Sequence, residues 1–266
     1  MVVIVKNFAL TIISIGEYMD FTKRDFASTK TDALYFDQGL RTFMLKVYNY
    51  MAIALFLTGT VAFTASKSSA IMSMLYNIQG NMIVGMNPLG YLVSFAPFII
   101  ALVFGFGIQK MNAGAAKMLF WVYATLMGLS LTSIFLIYTG ESITRVFFIT
   151  SALFGSMSLY GYTTKRDLTN FGSFLFMGLL GVIIASIVNI FLKSSGLHFA
   201  TSILCVLIFT GLAAYDTQKI KATYYQLSAD MDGINKAAIL GALTLYLDFI
   251  NIFVQLLQFF GDRRSN

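Results

Sequence analysis

The apolar positions of this chain fall into long unbroken runs, and the polar positions gather in short segments between them. A run of about 20 residues is what an α-helix needs to cross the hydrocarbon of a bilayer. Seven such runs are read: Val47–Ser66, Gly90–Ile108, Met118–Tyr138, Ile143–Tyr162, Phe171–Leu192, Phe199–Ile220 and Ala237–Phe260. The predicted fold is therefore an all-α membrane protein with seven transmembrane helices. Ahead of the first run, "DALYFDQGLRTFMLK" (Asp32–Lys46) reads as an interfacial amphipathic helix. The division is then residues 1–46 as an N-terminal segment, 47–260 as the transmembrane domain and 261–266 as a short tail. The connection Lys67–Leu89 reads as a Met- and Ser-containing loop. The opening "MVVIVKNFALTIISIGEY" has too short an apolar core to span and no small-residue cleavage site, and "MDFTKRDF" from Met19 also reads as a natural start.

Two patterns break the apolar monotony. Small residues recur at helical spacing in the fourth run (Ser151, Gly155, Ser158) and the fifth (Gly178, Gly181, Ala185), which predicts close helix packing. In the seventh run Thr244, Asp248, Asn251, Gln255 and Gln258 follow one another at spacings of 4, 3, 4 and 3, so all lie on one helical face. A helix with a polar stripe along its length belongs inside the bundle.

Composition agrees with a membrane solvent: 58% of residues are hydrophobic and 11% charged, with two prolines in 266 residues. A soluble domain carries about 25% charged residues. Basic residues divide unevenly between the two faces that seven crossings define. Thirteen lie before the first run or in the second, fourth and sixth connections, Lys110 among them; the other face holds Lys67, Arg145, Lys193, Arg263 and Arg264. Positive-inside reasoning puts the N-terminus in the cytoplasm. The net charge of +6 is explained by those loops and requires no nucleic acid. One histidine, His198, and one cysteine, Cys205, exclude a zinc cluster of the usual ligand number, and no cofactor is expected.

Asp248 is the chemically informative residue. A carboxylate near the middle of a membrane helix costs about 2.5–3.5 kcal/mol on insertion scales. Among the twelve acidic residues only Asp216, in "TGLAAYDTQKIK", also lies within a run. The sixth and seventh helices run antiparallel, which allows the two carboxylates similar depths. Asp216 has an alternative partner in Lys219, three residues on. If the aspartates meet, they share a proton and titrate as a unit. Loss of that proton leaves adjacent negative charges that separate or attract a hard cation such as Ca²⁺.

The same residues carry a resemblance. "TGLAAYDTQKIK" (Thr210–Lys221) followed by "GALTLYLDFINIFVQLLQFFG" (Gly241–Gly261) resembles the signature of the Bax inhibitor family of transmembrane proteins. "FMLKVYNYMAIALFLTGTVAF" and "FWVYATLMGLSL" are similar to its bacterial members, and the likeness extends over Leu40–Gly261. It implies two three-helix layers around a central C-terminal helix. It also implies that Asp216 and Asp248 form a hydrogen-bonded pair governing a pH-sensitive calcium leak, with transient Ca²⁺ at the pair. Lys110 aligns with a basic residue that latches to the sixth-helix aspartate in bacterial relatives, and Gln258 stands where some members have arginine. Asn251 and Asn189 match motif positions.

Three functions are weighed on this basis. The first is a passive calcium leak of a bacterial inner membrane, related to cell-death and stress suppressors. The second is a non-transporting membrane protein that modulates a protease or stress-response partner in the bilayer. The third, an intramembrane aspartyl protease, is disfavoured because neither aspartate has a GxGD setting.

Overall fold

The computed structural model describes residues 30–79, 82–227 and 231–264. The question of Met1 or Met19 as the start, and the basic residues Lys6, Lys23 and Arg24, lie outside them. Among the described residues seven helices are long and apolar enough to cross a membrane. In chain order the elements are α1 (Lys30–Lys67), α2 (Ser69–Leu75), strands β1 (Tyr76–Gln79) and β2 (Met82–Met86), and α3 (Pro88–Gly107). There follow a 3-10 turn at Ile108–Lys110, α4 (Ala113–Ser130), α5 (Thr132–Ile137), α6 (Gly140–Thr163), α7 (Thr169–Leu192), α8 (Ser195–Leu227) and α9 (Met231–Phe260). The protein is a multi-pass membrane protein.

Local chemistry sets the helix ends. Asn87 precedes Pro88 and accepts the Gly90 N–H at 2.9 Å; Asn112 accepts the Ala115 N–H at 2.7 Å. Each side chain satisfies one of the amides that a helix start leaves open. The α7 helix ends at Lys193, which adopts the left-handed conformation (φ 50°), while Asn189 accepts the Ser194 N–H at 2.9 Å. That bond gives Asn189 a structural task at the α7–α8 turn.

Helices α1, α3 and α4 pack together on one side, and α6, α7 and α8 on the other. Between them α9 touches α1, α4, α6 and α8. Of the most apolar stretch of α9, 78% is buried inside the bundle, against 22% for α7. The central position of the last helix follows from its composition: it alone carries amides and a carboxylate along one face, and lipid offers those groups no partners.

The segment Asp32–Lys46 leads into the first span without a break, as the first part of the helix α1 from Lys30 to Lys67. Two expectations change. The connection Lys67–Leu89 is not a plain loop. Ser68 accepts the Ile71 N–H and starts α2, and an antiparallel hairpin pairs Tyr76 with Met86 and Asn77 with Gly85. The small-residue faces are only partly packing faces. Gly155 and Gly181 would each hold a Cβ with no heavy atom within 4 Å. Close approaches in this half include Gly161, where a Cβ would overlap the Ala214 carbonyl of α8, Gly172 against the Tyr215 ring and Gly211 against Leu175.

At the end of the bundle where α1 finishes, the tail turns back. The Thr139 N–H donates to the Asp262 carbonyl and the Arg264 N–H to the Ile137 carbonyl, each at 2.9 Å. Arg145 adds an ion pair with Asp262 at 2.8 Å.

Candidate functional site

The α8–α9 contact has a readable register. Phe199 stacks edge-on against Phe259 at 5.5 Å near one end, and the Ile220 side chain lies against Gly241 nearer the other. An antiparallel pair with those contacts brings position 216 within about one helical turn of position 248. The Asp248 carboxyl is hydrogen-bonded to the Asp216 carboxyl. A carboxylate only accepts, so this bond requires that one of the two holds a proton.

Asp248 is 2% exposed. It lies twelve residues from the end of α9 at Phe260, about 18 Å along the axis at the α-helical rise. Asp216 is half-buried, and α8 continues past it to Leu227. It is therefore well inside its helix.

The surroundings are polar beyond this bond. Asp248 Oδ2, Gln255 Oε1 and Thr210 Oγ1 are buried and have no hydrogen-bond partner among the described residues. Buried polar atoms are paired in the great majority of cases, so these three orphans, on two adjoining helices, are positions for water or another polar partner. Gln255 follows Asp248 by seven residues, about 10 Å along α9. Thr210 precedes Asp216 on α8, so both orphans extend from the pair toward the Phe199–Phe259 end. Asn251 lies between, buried, its Nδ2 donating to the Leu247 carbonyl at 2.8 Å. Thr244 is half-buried and Gln258 exposed, so the stripe is inside the bundle along its middle and leaves it at the end.

Several hydrogen bonds were not foreseen from the sequence, which offered Ser158 only as a small packing residue of the fourth run. Ser158 Oγ lies 2.6 Å from Tyr48 Oη and 2.8 Å from Thr217 Oγ1, tying α6 to α1 and α8 in the turn next to Asp216. Thr58 joins Tyr246 of α9 at 2.8 Å and donates to the Ala124 carbonyl, also at 2.8 Å. The available signal was weak: Thr217 adjoins Asp216 in the motif, and Tyr246 precedes Asp248 by two.

Lys110 is exposed on the 3-10 turn after α3, and its ammonium forms no ion pair among the described residues. Lys46 instead donates to Asn235 at 2.6 Å, and Lys221 to the Tyr162 carbonyl at 3.1 Å. Among the described residues no group of three or more His, Cys, Asp or Glu side chains converges. The pair thus offers a hard cation only two carboxylates, and further oxygen ligands would come from amides, carbonyls or water.

Over residues 40–265 the chain matches the family described as inhibitor of apoptosis-promoting Bax1. It belongs to the Bax inhibitor family. Relatives of this family member span nearly its whole length. The Rickettsia prowazekii protein RP147 is 52% identical over 247 residues, which is 93% of this chain and 100% of the relative. The Escherichia coli (strain K12) inner membrane protein YbhL is 47% identical over 227 residues, 85% of this chain and 94% of the relative. A Streptococcus pyogenes membrane protein, SpyM3_0260, is 35% identical over 231 residues, 85% of this chain and 94% of its own.

Proposed function

We propose that this protein is a pH-sensitive passive calcium leak of a bacterial inner membrane, with Asp216 and Asp248 as its switch. The observation that carries the reading is the buried carboxyl–carboxyl hydrogen bond with one Asp248 oxygen left unpartnered. Such a bond depends on a single proton. With the proton present, the pair is a neutral–anionic couple that joins α8 to α9. Without it, two like charges adjoin in a low-dielectric interior, and they part or recruit a cation. Ca²⁺ takes oxygen ligands in flexible geometry, which suits carboxylates followed by the Asn251 and Gln255 amides. Those amides stand at successive levels of α9, so they serve as stations for a passing ion rather than one cage. The E. coli relative YbhL, an inner membrane protein, supports the location, and the charge asymmetry supports a cytoplasmic N-terminus.

The test is Ca²⁺ flux into liposomes holding the purified protein, followed across pH. Flux with a pH dependence that Asp216→Asn and Asp248→Asn each abolish is the expected result. Wild-type flux and pH profile in both variants would sink the reading.

A second reading rests on the family description, which names an inhibitor acting on another protein. On that reading the chain modulates a membrane partner without transporting. Co-purification of a partner that survives the double Asn variant, with no flux from the wild type, would favour it.

A further inference from the structure

Of the five basic residues on the sparsely charged face, four gather at one spot. Lys67 ends α1, Arg145 lies in the first turns of α6, and Arg263 and Arg264 sit on the tail that folds back between them. Membrane proteins deplete this face of cations, so their clustering there calls for a cause. Arg145 is committed to Asp262 at 2.8 Å, and that pair leaves no net charge. Lys67 and Arg264 instead line a cavity of about 260 Å³ between the end of α1, α5 and the start of α6. Ser66 and Thr144 contribute hydroxyls to the same wall, and Phe63, Phe135 and Ile143 make the apolar side. Phe63 packs edge-on against Phe135 at 5.7 Å, and the Lys67 ammonium sits 5.9 Å from the Phe63 ring centre. Glu141, the nearest carboxylate in sequence to this wall, is not among the residues lining it.

We propose that this cavity seats the phosphate headgroup of an anionic glycerophospholipid from the adjoining leaflet. Lys67 and Arg264 hold the phosphate, and the two phenyl rings line the first part of the acyl chains; the Ser66 and Thr144 hydroxyls, which donate to the Phe63 and Gly140 carbonyls, only border the site. A volume below the roughly 300–1,000 Å³ of pockets that enclose a drug-sized ligand suits a headgroup whose tails stay in the bilayer. A free phosphate would use the cations and leave the aromatic wall without an occupant. A zwitterionic lipid brings the same phosphate together with its own cation, which opposes Lys67 and Arg264. An anionic amphiphile answers both walls without that repulsion.

The experiment is native mass spectrometry of the full-length protein in detergent, titrated separately with dioctanoylphosphatidylglycerol, dioctanoylphosphatidylcholine and inorganic phosphate. Phosphatidylglycerol should bind saturably and at least about tenfold more tightly than phosphatidylcholine, as two interfacial cations warrant. The double variant Lys67→Gln/Arg264→Gln should remove that preference. Gly140→Leu keeps both cations and grows from a cavity-lining position with open space around its Cβ, so it should weaken phosphatidylglycerol by obstruction. Equal binding of the two lipids, or unchanged binding in both variants, overturns the proposal. Inorganic phosphate that displaces the lipid at equal concentration also overturns it, in favour of a soluble anion. Circular dichroism of each variant separates lost binding from lost fold.

Discussion

The Asp248 carboxyl of the central helix is hydrogen-bonded to the Asp216 carboxyl of its antiparallel neighbour. Two carboxyls share a hydrogen bond only when one of them is protonated, so replacing either changes what the other meets. Asp216→Asn, Asp248→Asn and the double variant should therefore change thermal stability by amounts that do not add. Coupled neighbours deviate from additivity by about 0.5–3 kcal/mol. Unfolding temperatures of the three variants in one detergent check this, and additive losses would show two unrelated residues.

Ser158 holds Tyr48 and Thr217 together through one hydroxyl. Its removal in Ser158→Ala should cost about 1 kcal/mol, since two hydrogen bonds between membrane helices are lost at about 0.6 kcal/mol each. Tyr48→Phe and Thr217→Val should each cost less, since each leaves the other bond in place. A double-mutant cycle on Tyr48 and Ser158 measures the direct bond.

Gly161 and Gly155 share a helix and differ in surroundings. A Cβ at Gly161 meets the Ala214 backbone, whereas one at Gly155 meets nothing within 4 Å. Gly161→Ala should destabilise by about 1–3 kcal/mol, as overpacking does. Gly155→Ala should be neutral or slightly stabilising, because alanine is the better helix former. Paired melting curves decide it.

The tail is held more by shape than by charge. A Cβ at Gly261 would strike the Leu257 carbonyl and the Tyr138 ring, while the Arg145–Asp262 pair is more than half exposed on both sides. Gly261→Ala should loosen the tail, seen as faster hydrogen exchange at the Thr139 and Arg264 amides. Arg145→Ala should cost no more than about 1 kcal/mol.

Asp167 lies outside the membrane helices. The Thr169 hydroxyl, at 2.6 Å, and then the Thr169 N–H, at 2.9 Å, hold its carboxyl below the usual carboxylate range. A depressed folded-state value stabilises the fold above the unfolded value, and the contribution is lost as pH falls through the folded one. Thr169→Val should raise the Asp167 pKa toward its ordinary value, read by carboxyl carbon NMR during an acid titration.

Much of this architecture was legible in the chain. The seven runs are long enough to be unambiguous, because lipid forces every backbone amide to pair within its own helix. The stripe from Thr244 to Gln258 already placed the last helix inside. Helix ends were less legible: α8 runs to Leu227 and α9 begins at Met231, beyond the apolar runs, because polar residues continue a helix after it leaves the bilayer. The small-residue pattern was ambiguous, since spacing alone does not say which face meets a neighbour. Gly155 and Gly181 fit the pattern and touch nothing, while Gly161 and Ala214 make the contact.

The sequence by itself determined the solvent, the number of crossings, the family and the two carboxylates, all of which depend on composition and on spacing within one helix. The tertiary structure alone decided what those carboxylates meet. It also decided which hydroxyls surround them, that Lys110 stays at the surface, and that Lys67 and Arg264, almost two hundred residues apart, share one cavity. Contacts between helices depend on rotation and depth, and lipid leaves both undetermined until the neighbouring helices are packed.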